Sequence, residues 1–408
     1  MKKGWQTKKL GDLCTVFADG DWVESKDQSP DGIRLVQTGN IGEGVFKARG
    51  EKSRYISEET FKKLRCTEIF EGDCLISRLP DPVGRSCILP ESNERMITAV
   101  DCTIVRFDQE KMLPAIFNLY SQSNEYLSAV AKECTGTTRS RISRSNLALT
   151  PVPVPPLPDQ QRIVRILDQA FEAIATAKAN TEKNLQNAHA IFESHLQFIF
   201  AKRGNGWVET TLEKVLADQP QNGWSPPAAN HSNSGTPVLT LSSVTGFRFR
   251  PDKLKFTSAP TDSRRNYWVK NGDLLITRSN TPELVGHVAI ASGIHKPTIY
   301  PDLIMRMNPM SDRVLTEFLY YQLRTPALRK EITGRAQGAN PTMKKISNGA
   351  VKTLPISVPS IPTQRSIVET LDNLTEETQS LANLSKRKLS AIEALRKSLL
   401  HQAFTGNL

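Results

Sequence analysis

The sequence predicts an α+β protein made by tandem duplication, with two mixed α/β globular domains and two long helices that pair with each other as a coiled coil. Three observations carry this. The 408 residues read as two copies of one unit of about 204. Each copy opens on short β-branched runs broken by Gly, Asn and Pro, and closes on a stretch almost free of Gly and Pro and rich in Ala, Leu, Glu, Lys and Gln. A proline cluster separates the two parts in both copies.

The repeat shows in four blocks. Gly4-Trp5, Leu10, Leu13 and Gly20-Asp21-Trp22 return as Gly206-Trp207, Leu212, Val215 and Asn222-Gly223-Trp224. Glu71-Gly72-Asp73-Cys74-Leu75-Ile76-Ser77-Arg78 returns as Asn271-Gly272-Asp273-Leu274-Leu275-Ile276-Thr277-Arg278. The proline clusters end in Leu157-Pro158-Asp159-Gln160 and Ile361-Pro362-Thr363-Gln364. Each then runs into Ile-Val-x-x-Leu-Asp, at 163–168 and 367–372. Four blocks in one order at nearly one spacing imply duplication followed by divergence.

Along the chain, residues 1–150 form the first globular domain and 151–204 a proline linker with the central helix. Residues 205–354 form the second domain and 355–408 a second linker with the distal helix. Runs such as 33–38 and 273–277 read as short strands. Prolines hold the backbone extended, so the clusters read as stiff linkers. The helices are expected over 160–200 and 364–404. Apolar residues at three- and four-residue steps give each a single stripe, with pairing candidates Ile163, Leu167, Ile174, Leu185 and Phe192 on the first. Leu371, Leu374, Leu381, Ile392, Leu395 and Leu399 do the same on the second, with a phase slip near Ser385 and Lys388. A rod of about 60 Å outruns its own domain, so two equal rods bury their stripes on each other. The alternative is that each helix folds back on its own domain.

A 38% hydrophobic and 7% aromatic content is ordinary globular composition and excludes disordered, collagenous and disulfide-rich classes. No window reaches the run of about 18 apolar residues that a membrane span needs, so the chain is read as soluble and cytosolic, without a membrane partner. The net charge is +11, of which residues 1–204 carry +2 and 205–408 carry +9. Such an excess suits a polyanion. All six cysteines lie in the first half without a Cys-x-x-Cys pair, which predicts reduced, mostly buried thiols rather than zinc ligands.

Taken together, the Trp-containing start, the Gly-Asp-x-Leu-Ile-Ser/Thr-Arg block and the Leu/Ile-Pro-x-x-Gln linker before an Ile-Val-x-x-Leu-Asp helix, all present twice, resemble the specificity subunit of type I restriction-modification systems. The resemblance spans essentially the whole chain. It implies two target-recognition domains, each reading one half of a bipartite target in double-stranded DNA. It also implies an antiparallel, pseudo-two-fold pairing of the helices that sets the spacer and docks two methyltransferase (modification) subunits. Restriction subunits join in some such assemblies. S-adenosylmethionine for methylation and ATP with Mg for cleavage would belong to those partners, and this chain would carry no cofactor.

DNA-contacting candidates are donors with reach on loops. Gln37, Thr38 and Asn40 follow a predicted strand, and Ser242 and Ser243 stand at the matching place in the second copy. Arg78 and Arg278 close predicted strands. Either they grip guanine or phosphate, or they form ion pairs with an acid such as Asp73 or Asp273. Thr138, Arg139 and Arg141 before the first linker, and Asn340, Lys344 and Lys345 before the second, sit in Gly-rich basic segments suited to phosphate or base-edge contact, or to solvent.

Reaction chemistry is missing. The sequence has no phosphate-binding Gly-Lys-Ser/Thr loop and no Gly-x-Gly turn after a strand. Asn340-Pro341-Thr342-Met343 lacks the second proline and the aromatic ring of an adenine-methyltransferase motif. The six histidines show no metal-ligand spacing. The expected function is therefore a non-catalytic specificity subunit. The alternatives are a stand-alone DNA methyltransferase or nuclease with an unrecognised site, and a protein scaffold without DNA readout.

Overall fold

The computed structural model describes residues 4–136, 139–340 and 342–408. The chain divides into two compact units, one formed by the chain up to Glu182 with Lys386–Leu408, the other by Lys183–Ser385. Each unit contains one globular head, the near stretch of the helix that follows it, and the end of the helix from the other repeat.

The Gly-Asp-x-Leu-Ile block is the central strand of each head. In the first, Cys74–Ser77 lies between Cys102–Phe107 and Ser86–Ile88 in a four-stranded antiparallel sheet completed by Cys14–Asp19. In the second, Leu274–Thr277 lies between Ile304–Met307 and Val288–Ile290, with Gln221–Asn222 at the edge. Both central strands are buried on both faces. Alternation explains this. Cys74 and Ile76 face a core with Ile116, Phe117 and Tyr126, whereas Leu75 faces the opposite core with Val36, Ile69 and Met96 of a second sheet. Leu274 and Ile276, against Leu275, divide the second head in the same way.

The block's other residues build the turn into the strand. Gly72 and Gly272 sit at φ +81° and +92°, open to glycine without strain. Asp73 accepts from the Phe70 N–H at 2.9 Å and Asp273 from the Lys270 N–H at 2.8 Å. The same carboxylates meet an arginine on the neighbouring strand, Arg106 at 2.6 Å and Arg306 at 3.5 Å. Asp73 and Asp273 therefore do not pair with Arg78 and Arg278.

The proline clusters are not spacers. Pro151–Val154 is a strand paired antiparallel with Gln6–Lys9, and Pro355–Val358 pairs with Val208–Thr211. Pro151 and Pro153 alternate with Val152 and Val154, so the missing N–H groups fall on the open edge while the valines are buried. Each copy thus closes its head by bringing the end of the domain back to its start.

Both helices are 45 residues long, Leu157–Ala201 and Ile361–Thr405. They begin one turn earlier than expected because Pro158 and Pro362 occupy the first turn, where no N–H is required. Gln160 and Gln364 in that turn are fully buried. Gln160 accepts from the Leu113 N–H at 2.8 Å and donates to the Lys111 and Pro155 carbonyls, both at 2.9 Å. Gln364 repeats this with the Leu315 N–H at 2.8 Å and the carbonyls of Arg313 and Pro359 at 3.0 and 2.9 Å.

Within the first unit, Ile163 and Leu167 share a core with Leu400, Ala403 and Phe404. Further along, Phe171 meets Arg396 and Lys178 meets Glu393 at 2.9 Å. One number rises as the other falls, so the two stretches run antiparallel. In the second unit Phe192, Leu196 and Phe200 pack in one core with Leu371, flanked by Leu374. Of the expected seam, Ile174, Leu185, Ile392 and Leu399 are half-buried. Leu381 and Leu395 are not in it: they stand 49% and 51% exposed. Ala382 and Ser385 take the buried phase of the distal helix, so Leu381, one residue from Ala382, is turned about 100° away.

Four of the six thiols are buried, and burial pushes Cys87 and Cys102 up to about 12. Replacing Gln160 or Gln364 by Ala leaves a buried N–H and two carbonyls without partners. Each variant is expected to lose about 1–3 kcal/mol or more, read as a lower midpoint in thermal or urea unfolding, whereas Gln161→Ala, at an exposed site, leaves the midpoint unchanged.

Candidate DNA interface

Three segments chosen separately along the sequence come together at the same edge of each head. In the first head these are the 3-10 turn Thr38–Asn40, the loop from Arg78 to Arg85, and the hairpin closed by the Thr135–Arg141 bridge. The Ile142 N–H donates to the Arg78 carbonyl at 3.3 Å and joins the hairpin to the loop. Arg85 joins the loop to the turn. Its guanidinium is buried and donates to the carbonyls of Ile41, Leu79, Pro82 and Thr38 at 2.7, 2.8, 3.0 and 2.8 Å.

The second head gathers the matching segments with different chemistry. The Leu241–Ser243 turn, the loop from Arg278 to His287, and the hairpin closed by the Gln337–Lys345 bridge meet there. The Ile346 N–H donates to the Arg278 carbonyl at 2.9 Å, and Ser279–Asn280 pairs with Lys344–Lys345. His287 stands where the first head has Arg85. Its Nδ1 accepts from the Gly246 N–H at 2.9 Å and its ring stacks on Phe247 at 4.1 Å. Burial, with Arg329 and Arg324 nearby, pushes its pKa down to about 4.

The geometry divides the candidates. Asn40 and Ser243 are buried turn-builders: Asn40 accepts from the Gln37 N–H and donates to the Lys47 carbonyl, while Ser243 accepts from the Thr240 N–H and donates to the Lys253 carbonyl. Arg78 is also buried, donating to the Val100 carbonyl at 2.6 Å and lying 3.2 Å from Asp19. Burial lowers its pKa, and the Asp19 carboxylate opposes that shift. These three cannot reach a ligand without unmaking the fold. Their short polar side chains, or in Arg78 the strand-end position, looked the same in sequence as an exposed donor.

Arg278 differs from its counterpart. It is half-buried, its guanidinium donates to the Asp302 carbonyl at 3.5 Å while its Nε is buried without a partner, and no carboxylate among the described residues lies within 4 Å of it. Gln37 and Thr38 are half-buried at the edge, and Ser242, Arg139, Asn340 and Lys345 are exposed. Arg141 is exposed but held by Asp101 at 2.7 Å. Lys344 donates to the Gly338 carbonyl at 2.9 Å, and Asn340 accepts from the Thr342 N–H. Thr138 lies outside the described residues. Arg85 and His287, which stitch the loops together, were missed by sequence reasoning. Their sole signal is a common place near the end of the loop that follows Arg78 or Arg278.

The sequence matches the model of the type I restriction modification DNA specificity domain twice, over residues 2–187 and 205–393. The chain belongs to this family of DNA specificity proteins. The type I restriction enzyme EcoKI specificity subunit of Escherichia coli (strain K12) is 24% identical over 306 residues, 71% of this chain and 64% of that one. The type I restriction enzyme MjaVIII specificity subunit of Methanocaldococcus jannaschii is 22% identical over 325 residues, 75% and 73% of the two chains. The fold is that of solved chains from type I restriction-modification systems. One, from a study of complex assembly and conformational transition of the type I R-M system, superposes with a TM-score of 0.80 at 19% identity over 100% of this chain and 99% of that one. The HsdS subunit from Thermoanaerobacter tengcongensis gives 0.60 at 19% identity, covering 100% and 98%.

In this specificity protein, His287 should make the second head sensitive to acid. The unfolded imidazole takes its proton near its ordinary value, 6.5, and the folded one near 4, so the unfolded state binds more protons between those values. The contribution of His287 to stability should be full above about pH 6.5 and fall as the pH drops toward about 4. His287→Gln should flatten that part of the curve of unfolding midpoint against pH, while a slope equal to that of the native chain would contradict the assignment.

Proposed function

We propose that the chain is the non-catalytic DNA sequence-specificity subunit of a type I restriction-modification complex. Each head reads one half of a bipartite target in double-stranded DNA, and the paired helices set the spacer and dock two methyltransferase subunits. The observation that carries this reading is the gathering of the same three loops at one edge of both heads, with different side chains. One scaffold holding two different loop sets suits a target whose halves differ in sequence.

Partner docking is supported by apolar side chains that the helices leave in solvent. Ile191, Phe198, Leu381, Leu384 and Leu395 are each more than two-fifths exposed, and a helix carries such residues outward where another protein covers them. Methylation with S-adenosylmethionine, and ATP- and Mg-dependent cleavage where restriction subunits join, fall to those partners. No helix among the described residues is long and apolar enough to cross a membrane, which fits a cytoplasmic site of action on DNA.

The deciding experiment replaces residues 205–358 with the matching segment of another family member and sequences the adenines modified in the presence of the methyltransferase subunits. One half-site should change and the other persist; an unchanged target would overturn the reading. Among point variants, Arg278→Ala should weaken DNA binding about tenfold to a hundredfold, the worth of one good arginine contact. Arg78→Ala should instead lower the unfolding midpoint. Equal effects of the two on DNA affinity at matched stability would count against Arg278 as the available donor. Removing four residues, about 6 Å, from one helix should shorten the preferred spacer by one or two base pairs.

A further inference from the structure

The joints between head and helix hold the same three positions in both units, with the arginine moved to a different partner. Gln122 and Arg324 match, because each directly precedes the residue, Ser123 or Thr325, that caps the next helix. Phe171 and Thr375 match, counted from the buried Gln160 and Gln364. Phe192 and Arg396 match on the helix end that arrives from the other repeat, each one turn before a buried leucine, Leu196 or Leu400, and two before Phe200 or Phe404.

In the first unit the arginine comes from the arriving helix. Arg396 lies over the Phe171 ring at 5.0 Å and donates to the Gln122 amide oxygen. In the second unit it comes from the head. Arg324 lies over the Phe192 ring of the arriving helix at 4.6 Å, stands 3.8 Å from Glu193, and lines a small cavity with Thr375. The residue at Glu193's place in the first unit is Lys397. Among the described residues two further pairs, Lys178 with Glu393 and Glu125 with His401, occur in the first unit and not the second, where their counterparts are Ala382 with His189 and Ala327 with Gln197.

The largest side chains of the apolar seam do not tell the repeats apart, although Ala403 of the first unit stands where Ile199 packs in the second. Leucine faces the head at 196 and 400, and phenylalanine at 200 and 404. On those contacts alone, a head would accept the helix end of its own repeat from a second copy of the chain. The joint would reject it. A first-repeat pairing assembles Gln122, Phe171, Phe192 and Glu193, two rings without their cation. A second-repeat pairing assembles Arg324, Thr375, Arg396 and Lys397, three cations in which Arg324 keeps the Phe247, Tyr320 and Tyr321 rings of its own head but loses the ring and the acid that the arriving helix supplies. Repulsion and lost cation–π contact in a part-buried site both oppose the like pairing.

We propose that the exchanged arginine is a pairing code, by which each head accepts the helix of the opposite repeat and refuses that of the same repeat on a second copy of this chain. It keeps one chain folded on itself as a single two-headed reader.

The test uses full chains carrying two different tags, co-expressed and purified in sequence on both. The native chain should yield no mixed-tag dimer above background. Rewriting the first joint as the second, with Gln122→Arg, Phe171→Thr, Arg396→Phe and Lys397→Glu, makes like and unlike pairings equivalent at the arginine, leaving the exposed Lys178–Glu393 and Glu125–His401 pairs in place, and mixed-tag dimer should rise at least tenfold. The reciprocal set, Arg324→Gln, Thr375→Phe, Phe192→Arg and Glu193→Lys, should do the same and serves if the first set does not fold. Gln122→Arg alone sets a second cation against Arg396 and should lower the unfolding midpoint. Equal mixed-tag yield from native and rewritten chains, or an unchanged midpoint for Gln122→Arg, would overturn the code.

Discussion

Each repeat turns on one buried amide. Gln160 and Gln364 sit in the first turn of a 45-residue helix, where backbone N–H groups lack internal partners, yet their side chains are spent on the head. One amide joins the helix start, the strand before it and the loop that leads into the helix at Pro114 or Thr316. An amide with no exposure and three bonds is costly to move, because every bond broken in a dry site strands a polar group. The direction in which each rod leaves its head is thereby set by hydrogen bonds, with the apolar contacts of Ile163 and Leu167, or of Leu371, filling in behind.

From that fixed joint, rigidity passes through the central strand to the edge where the three loops gather. The strand is packed from both faces, so the loop that follows it starts from a position with little freedom. Arg85 in one head and His287 in the other then hold that loop against the neighbouring turn. The two solutions differ in kind. A guanidinium satisfies four carbonyls and stays charged at any ordinary pH, whereas a neutral imidazole stacked on Phe247 depends on staying unprotonated. Two heads can thus share a scaffold while shaping their loops with unrelated chemistry, as two unlike half-sites require.

Duplication, element order and the existence of both rods could be read from the residues, because repeated blocks and long Gly-free apolar stripes are strong signals. The proline clusters could not: Pro151 and Pro153 read as a linker until the partner strand Gln6–Lys9 is known, since only pairing shows which edge lacks donors. Leu381 and Leu395 mislead for a similar reason. A stripe on a helix says that apolar residues recur, while Ala382 and Ser385, small and weakly apolar, decide the phase that is buried. At the edge where the three loops gather, their position followed from the repeat, but which donors point outward did not. Asn40, Ser243 and Arg78 are consumed by backbone partners from distant segments. Arg278 is held less tightly than Arg78, because no carboxylate among the described residues lies within 4 Å of it as Asp19 does of Arg78.

The central claim is that one chain supplies both halves of a DNA address. Sequencing modified adenines genome-wide in cells with and without this chain tests it most directly. The account predicts a motif that vanishes with the chain and consists of two short, unlike half-sites separated by a constant run of unspecified base pairs. A continuous motif, a variable spacer, or modification that persists without the chain would contradict it.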